Sequence, residues 1–495
     1  MSTGQEIQTH QSLLKKKVGL LGAPALASLV YLIPFPNLPV NAHVLASILA
    51  WVVMSWITEA LPLAVTSFLG AAFCVVAGLG TAKAVFSAFA HPIIFLFIGS
   101  FLLAEAFVVH KVDQRFALWL LSLKWANSKP ASLFLAMALS TALLSMWISN
   151  TAAVAIMVPI ALGILSTLRE ESIPMPHETG VMLLLAYGAA AGGIATMIGT
   201  PPNLIGVGLL SQQAGIEVSF FEWFSIGFPL ACVMFLLIGR VLMRLHPPPH
   251  TFPALSTQVR LLKTEQGVWT RGQQNTCLAL GLAIGLWIGP GMLAVIFGRD
   301  AEFVLWLNTR IPKEIVPLIA AGLLFVLPVN FRTGKYTLTW AQAKNINWGT
   351  ILLFGGGLAF GHLMVETGLA KIIGQGLVRF FGGETLWSLT AVAIGAALVL
   401  TEIASNTASA SMLVPVVIAI AQGAGVSPVP PTLGVCLAAS LAFVLPVSTP
   451  PNAIVYGTGL VSIQNMLRAG ILLDILGAVL VWMTLWLLCP LLGLA

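Results

Sequence analysis

Charge is what this chain has least of. Of its 495 residues only 8% are charged, 58% are hydrophobic, and the mean hydropathy is +0.97. A water-soluble fold could not hide that much apolar surface, so the composition implies a polytopic membrane protein. Cysteine is scarce as well. Cys74, Cys232, Cys277, Cys436 and Cys489 are scattered through apolar stretches with no metal-ligand or CxxC spacing. That argues against a disulfide framework and points to structural burial.

Catalytic signatures are missing too. There is no HExxH and no GxSxG, and neither of the serines considered below has a histidine within its own segment. An intramembrane hydrolase using Ser149 or Ser405 would need a base in reach, so an enzyme is the weaker reading. Arg332-Thr333-Gly334-Lys335 lacks P-loop spacing, and nothing indicates ATP-driven transport. Gly355-Gly356-Gly357 with Gly361 lies in an apolar segment, where small residues serve close helix packing.

What is present is a series of apolar segments separated by turn residues. Helices are expected near 18–36, 43–60, 61–80 and 93–109, then an interrupted pair at 131–168 and a broken helix at 178–214. Further helices are expected near 222–240, 276–297, 313–329 and 348–366, with a second interrupted pair at 387–422. A broken helix at 431–460 and a last helix at 466–492 complete the series. Lys15, Lys16 and Lys17 precede the first apolar run, which reads as a first helix rather than a cleaved signal. The residues before it form a polar, disordered N-terminal tail.

The net charge is +6, but the distribution of the 23 Lys and Arg says more than the sum. With a cytoplasmic N-terminus, most of them fall in inner loops, Arg169 and Arg260 included. Lys83, Arg299, Arg310, Lys313, Lys371 and Arg379 remain outside. The positive-inside rule thus supports about eleven transmembrane helices plus the two pairs, whether the pairs cross or dip in and return. No nucleic-acid partner is expected. The one long polar linker, 245–275 with Pro247-Pro248-Pro249, divides two halves. An odd number of spans separates the two pairs, so the repeats are inverted, a recurring construction of secondary transporters.

Two phrases occur twice in the same order. Ser149-Asn150-Thr151 is followed by Thr200-Pro201-Pro202-Asn203, and Ser405-Asn406-Thr407 by Thr449-Pro450-Pro451-Asn452. Singly, each would be a helix cap or a helix break. Duplicated and matched, they point to a binding site. Ser-Asn-Thr ends one helix and starts another, leaving backbone N–H groups free; Thr-Pro-Pro unwinds a helix. Unwound backbone at membrane depth is tolerated only inside protein or against a watery cavity. Helix N-termini suit an anion, and carbonyl and hydroxyl oxygens suit a small hard cation.

No Lys or Arg lies within ten residues of any of the four motifs. One charge at the bilayer centre costs about 2.5–3.5 kcal/mol on insertion scales, and a dianion more. Helix ends return only about 0.3–2 kcal/mol each. Bound Na⁺ would supply the missing charge. Among the lone acids, Glu402 beside Thr401 is either a functional or a structural group, and Glu59 reads as a helix-end residue. His43, His91 and His362 read as interfacial or packing residues.

The doubled motifs, with Trp56-Ile57-Thr58-Glu59-Ala60-Leu61-Pro62 upstream, resemble the divalent anion/sodium symporter family, which includes INDY-type dicarboxylate and citrate transporters. The similarity runs from about residue 43 to the C-terminus. The resemblance implies an all-α homodimer in the cell membrane. Its Ser-Asn-Thr motifs would sit at the tips of two re-entrant hairpins, and a transport domain would slide elevator-fashion against a scaffold.

On that pattern residues 1–17 are a cytoplasmic tail, and 18–130 and 222–386 form the scaffold. Residues 131–221 and 387–495 form the transport domain. The resemblance further implies at least two Na⁺ sites. The first would use Ser145, Ser149, Asn150 and the carbonyl of Gly199; the second Thr401, Ala404, Asn406 and backbone near Ser448. Substrate carboxylates would meet Asn150, Thr151, Asn406 and Thr407, with Thr200, Pro201, Thr449 and Pro450 closing the pocket. The activity implied is Na⁺-coupled dicarboxylate symport, with sodium-independent dicarboxylate or citrate exchange as the alternative.

Overall fold

The computed structural model describes residues 2–36, 38–166, 176–249, 263–264, 266–373, 376 and 385–495. Arg169, Arg260 and Arg379, and the middle of the long linker, lie outside them. In chain order the main helices are α1 (Ser2–Leu32), α2 (Val40–Thr58), α3 (Leu63–Val76), α4 (Ala82–Ser87), α5 (Pro92–Val109) and α6 (Val112–Leu121). There follow α7 (Pro130–Ser145), α8 (Asn150–Ser166), α9 (Pro176–Gly193), α10 (Pro201–Leu209) and α11 (Phe220–Leu245). After the linker come α12 (Arg271–Phe297), α13 (Glu302–Arg310), α14 (Val316–Val326), α15 (Trp340–Ala343) and α16 (Trp348–Glu366). The chain ends with α17 (Leu386–Ile403), α18 (Asn406–Ala424), α19 (Val429–Ala439), α20 (Pro450–Gly457) and α21 (Ile463–Leu492). Among the described residues 8 helices are long and apolar enough to cross a membrane, and α3, α7, α8, α14 and α19 are shorter apolar helices. Among the described residues the sheet content is one two-stranded hairpin, Pro328–Asn330 with Lys335–Tyr336.

The interruptions fall where the sequence places them. The chain is helical from Ser2, so the polar tail continues α1. Four short helices, α4, α6, α13 and α15, lie between the expected spans, because segments of ten residues or fewer carry no span-length apolar signal. Of the cysteines, Cys74, Cys436 and Cys489 are buried as expected, whereas Cys232 and Cys277 face outward. Glu59 caps α2 in the left-handed region at φ 50°, a helix-end role. Gly355 and Gly356 are packing glycines: a Cβ at either would strike Phe89 or Ser67.

The two repeats are interlaced. Within each, the first hairpin arm lies on the broken helix: α7 on α9, and α17 on α19. Between them the partners swap. The helix after the first break, α10, packs on α18 and α19 of the second repeat, and α20 packs on α8 and α9 of the first. Gly206 permits the first approach, since a Cβ there would collide with Cys436. Helices α11 and α21, which follow the two broken helices, also pack on each other. Around this centre, α1, α2 and α3 pack in sequence, α3 meets α16, and α5 meets α12 and α14.

Candidate functional site

Each Ser-Asn-Thr turn is a helix start whose side chains are already committed to shaping it. In the first, α7 stops at Ser145 and α8 begins at Asn150. The Ser149 hydroxyl accepts the Ala152 N–H at 3.2 Å, and the Ser145 hydroxyl donates to Asn150 Oδ1 at 2.6 Å. In the second, the Ser405 hydroxyl accepts the Ala408 N–H at 3.2 Å. The Thr401 hydroxyl lies 2.8 Å from Asn406 Oδ1 and 2.7 Å from the Ala439 carbonyl. The i to i+5 hydroxyl–carboxamide contact is common to both, and it orients each carboxamide at the mouth of a helix N-terminus.

The unwound segments are held by their own asparagines. Asn203 Nδ2 donates to the carbonyls of Gly193 and Thr196, at 3.1 and 2.8 Å. Asn452 Nδ2 donates to those of Ala442 and Leu445, at 2.8 and 3.1 Å. Buried backbone polar groups left by a helix break need such partners. The Thr196 hydroxyl further donates to the Met146 carbonyl at 2.6 Å, tying the first break to the first turn.

Close approach at two glycines brings the first set of predicted ligands together. A Cβ at Gly193 would lie 2.6 Å from Asn150 Oδ1, and one at Gly199 would lie 2.5 Å from the Gly193 carbonyl and 3.0 Å from the Ser145 carbonyl. Ser145, Asn150 and Gly199 therefore share one small region, with Ser149 exposed beside it. In the second set, Thr401 contacts Asn406, and Ser448 contacts Glu402, the neighbour of Thr401. Ala404 is buried and ends α17 as its cap. Thr151, Asn406, Thr407, Pro201 and Thr449 are half-buried and Pro450 is exposed, while Thr200 is buried. Thr449 caps α20 by accepting the Asn452 N–H at 3.3 Å; Thr200 makes no such side-chain cap for α10.

Within 145–151, 196–203, 401–407 and 443–452 the only acidic or basic side chain is Glu402. Its carboxylate accepts the N–H of Val444 at 3.1 Å and of Leu445 at 3.2 Å, and the Ser448 hydroxyl. These bonds tie the end of α17 to the break between α19 and α20. Two groups escaped the sequence analysis. Asp474, on α21, is a buried acid that lies beside Glu402 and Phe443. Tyr187, fully buried on α9, donates its hydroxyl to the Phe443 carbonyl at 2.7 Å. An acid isolated in a 30-residue apolar helix is a signal that could have found Asp474; a buried tyrosine offers none.

Interlaced repeats, four helix starts at paired breaks, and oxygen and amide donors without a basic side chain define a secondary membrane transporter. Residues 14–494 match the family model "sodium:sulfate symporter transmembrane region", and the chain belongs to that family of transporters. Its relatives include the sodium-dependent dicarboxylate transporter SdcS of Staphylococcus saprophyticus. That protein is 33% identical over 489 residues, spanning 96% of this chain and 91% of the relative. SdcS of Staphylococcus aureus strain USA300 is 32% identical over 488 residues, with the same coverage. In fold, the chain is similar to the YdaH transporter of Alcanivorax borkumensis, with TM-score 0.55 and 14% identity over 83% of this chain and 88% of that one. It is similar also to MtrF of Neisseria gonorrhoeae, with TM-score 0.55 and 12% identity over 84% and 83%.

Proposed function

We propose that the chain is a Na⁺-coupled symporter that carries dicarboxylates such as succinate, malate or fumarate inward across the cell membrane. The observation that carries this reading is a pair of half-sites built from neutral oxygens and amides, with no Lys or Arg to balance a dianion. Burying such an anion unaided costs more than the helix ends return. At least two Na⁺ ions fill the gap, one at Ser145, Ser149, Asn150 and the Gly199 carbonyl, one at Thr401, Ala404, Asn406 and backbone near Ser448. With the cations bound, the carboxylates meet Asn150, Thr151, Asn406 and Thr407, between the Thr-Pro-Pro starts at Thr200 and Thr449. Anion affinity then depends on cation occupancy, which is the coupling. The names of the staphylococcal relatives, sodium-dependent dicarboxylate transporters, support the substrate class and the ion.

For alternating access, residues 131–221 and 387–495 move as a transport domain against a scaffold of 18–130 and 222–386, in a homodimer with cytoplasmic N-termini. The swapped packing of α10 and α20 supports motion of the two repeats as one body. Helix α11 packs on α9 and α21 and links that body to the linker. Labelled-succinate uptake into proteoliposomes tests the function. Stimulation by an inward Na⁺ gradient is expected; uptake that needs internal dicarboxylate and ignores Na⁺ would establish exchange instead.

A further inference from the structure

Between α14 and α16 the chain makes an excursion that carries none of the residues assigned to the half-sites. It forms the hairpin Pro328–Asn330 with Lys335–Tyr336, turned by Phe331–Thr333 and by Gly334 at φ 63°, and then α15. The base of the hairpin is fixed by three helices. The Thr337 N–H and hydroxyl both donate to the Leu327 carbonyl, just past α14, at 3.0 and 2.8 Å. Asn275 of α12 donates to the Thr337 hydroxyl at 2.8 Å and to the Pro328 carbonyl at 3.2 Å. His110, which caps α5, has its Nε2 2.6 Å from the Thr337 carbonyl.

What this anchored base presents outward is chemically one-sided. Arg332, Lys335 and Lys344 are exposed, and no Asp or Glu occurs from residue 315 to 365. Among the described residues none of the three makes an ion pair. Four aromatic rings stand uncovered beside them: Phe331 is 86% exposed, Trp340 66%, and Tyr336 and Trp348 45% each. The Lys344 N–H donates to the Trp340 carbonyl and the Trp348 indole donates to the Lys344 carbonyl, both at 3.2 Å, so Lys344 lies one turn from either indole. Lys335, Tyr336, Thr339 and Trp340 line a cleft of about 530 Å³.

We propose that this hairpin and α15 form a binding site for an anionic phospholipid, with Arg332, Lys335 and Lys344 supplying the charge for its phosphate and Trp340 and Tyr336 meeting its glycerol–acyl boundary. A second copy of the chain fits this face poorly, because pairing it across a two-fold axis sets like charges against each other with no acid to separate them. A soluble anion would satisfy the cations and leave the rings in water. A phospholipid with a net negative headgroup satisfies both, since Trp and Tyr settle at headgroup level and basic side chains beside them attract anionic lipid. On the topology proposed above the face lies on the cytoplasmic side, where anionic lipids act on basic segments. The binding itself depends neither on that sidedness nor on coupling to Na⁺.

The test titrates the purified full-length transporter in detergent, at one fixed salt concentration, with phosphatidylglycerol, phosphatidylcholine or inorganic phosphate. Thermal midpoint and native mass spectrometry read the binding. Phosphatidylglycerol is expected to raise the midpoint and to add a retained lipid mass, and the other two to do neither. Each cation removed should weaken the half-saturating phosphatidylglycerol about fivefold, so the triple variant Arg332→Gln, Lys335→Gln, Lys344→Gln should weaken it at least tenfold. A control triple, Lys124→Gln, Lys129→Gln, Arg240→Gln, removes the same charge from other exposed positions and should stay within about twofold of wild type. Trp340→Ala should weaken binding severalfold with the charge intact. Equal weakening in the two triple variants would show general surface attraction and overturn the site. An equal response to phosphatidylcholine, or inorganic phosphate reproducing the shift, would overturn it as well. So would a triple variant that loses its oligomeric state on size-exclusion chromatography at unchanged lipid affinity, which would make the face a contact between copies. Should the triple variant fail to fold, Lys335→Gln decides: a severalfold loss supports the site and an unchanged affinity overturns it.

Discussion

Replacing Gly199 with alanine tests the proposed first cation site at a point where an added Cβ has little room. The added Cβ would lie 2.5 Å from the Gly193 carbonyl oxygen and 3.0 Å from that of Ser145. Carbon–oxygen contacts ordinarily sit at about 3.3–3.6 Å, so the two carbonyls and residue 199 must separate by roughly half an ångström to one ångström. Metal–oxygen distances tolerate only about 0.2 Å. Overpacking of this kind costs about 1–3 kcal/mol. If that cost falls on the cation-bound state, Na⁺ affinity drops about fivefold to 150-fold. Succinate uptake measured against Na⁺ concentration reads the loss as a rightward shift. Gly163→Ala, in the same hairpin with nothing within 4 Å of its Cβ, is the control and should stay within about twofold of wild type. A Gly199→Ala transporter with unshifted Na⁺ dependence would refute the placement of a cation among these groups.

Asn150→Ala and Asn406→Ala should each abolish Na⁺-dependent uptake while leaving an inserted, monodisperse protein on size-exclusion chromatography; normal transport by either would remove that residue from the site. Tyr187→Phe strands the buried Phe443 carbonyl, and the thermal midpoint should fall by the equivalent of about 1–3 kcal/mol. Asp113, on α6 outside the spans, has its pKa pushed by burial from 3.8 up to about 6. Because the folded protein binds that proton more tightly than the unfolded chain, stability is greatest below about pH 4 for this group and is lost as pH rises through 6. Asp113→Asn should therefore stabilise the protein at pH 7 by about 2–3 kcal/mol and have no such effect at pH 4, read as melting temperature at both values.

The sequence was most informative where membrane physics is least forgiving. Twenty-residue apolar runs and the paired breaks at Ser149-Asn150-Thr151 and Ser405-Asn406-Thr407 were legible because hydrocarbon permits few ways of leaving backbone unpaired. The duplicated Thr-Pro-Pro-Asn gave the positions of α10 and α20, yet not the partner swap that carries each onto the other repeat. That swap depends on shape, on Gly206 against Cys436, and no periodicity records it. Asn203 and Asn452 sat in plain view within the motif, but their work on the upstream carbonyls is visible only once the helices are broken. Asp474 lies far along the chain from Glu402, and one sequence holds no sign that they meet. Short helices such as α6 are hard to read for the opposite reason, a pattern too brief to rise above loop.

In the proposed symport cycle the anion is held by borrowed charge. Calorimetric titration of succinate into the purified transporter, once in NaCl and once in choline chloride of equal ionic strength, measures this directly. Binding heat in sodium and none in choline is the predicted result, and equal affinity in the two salts would contradict it.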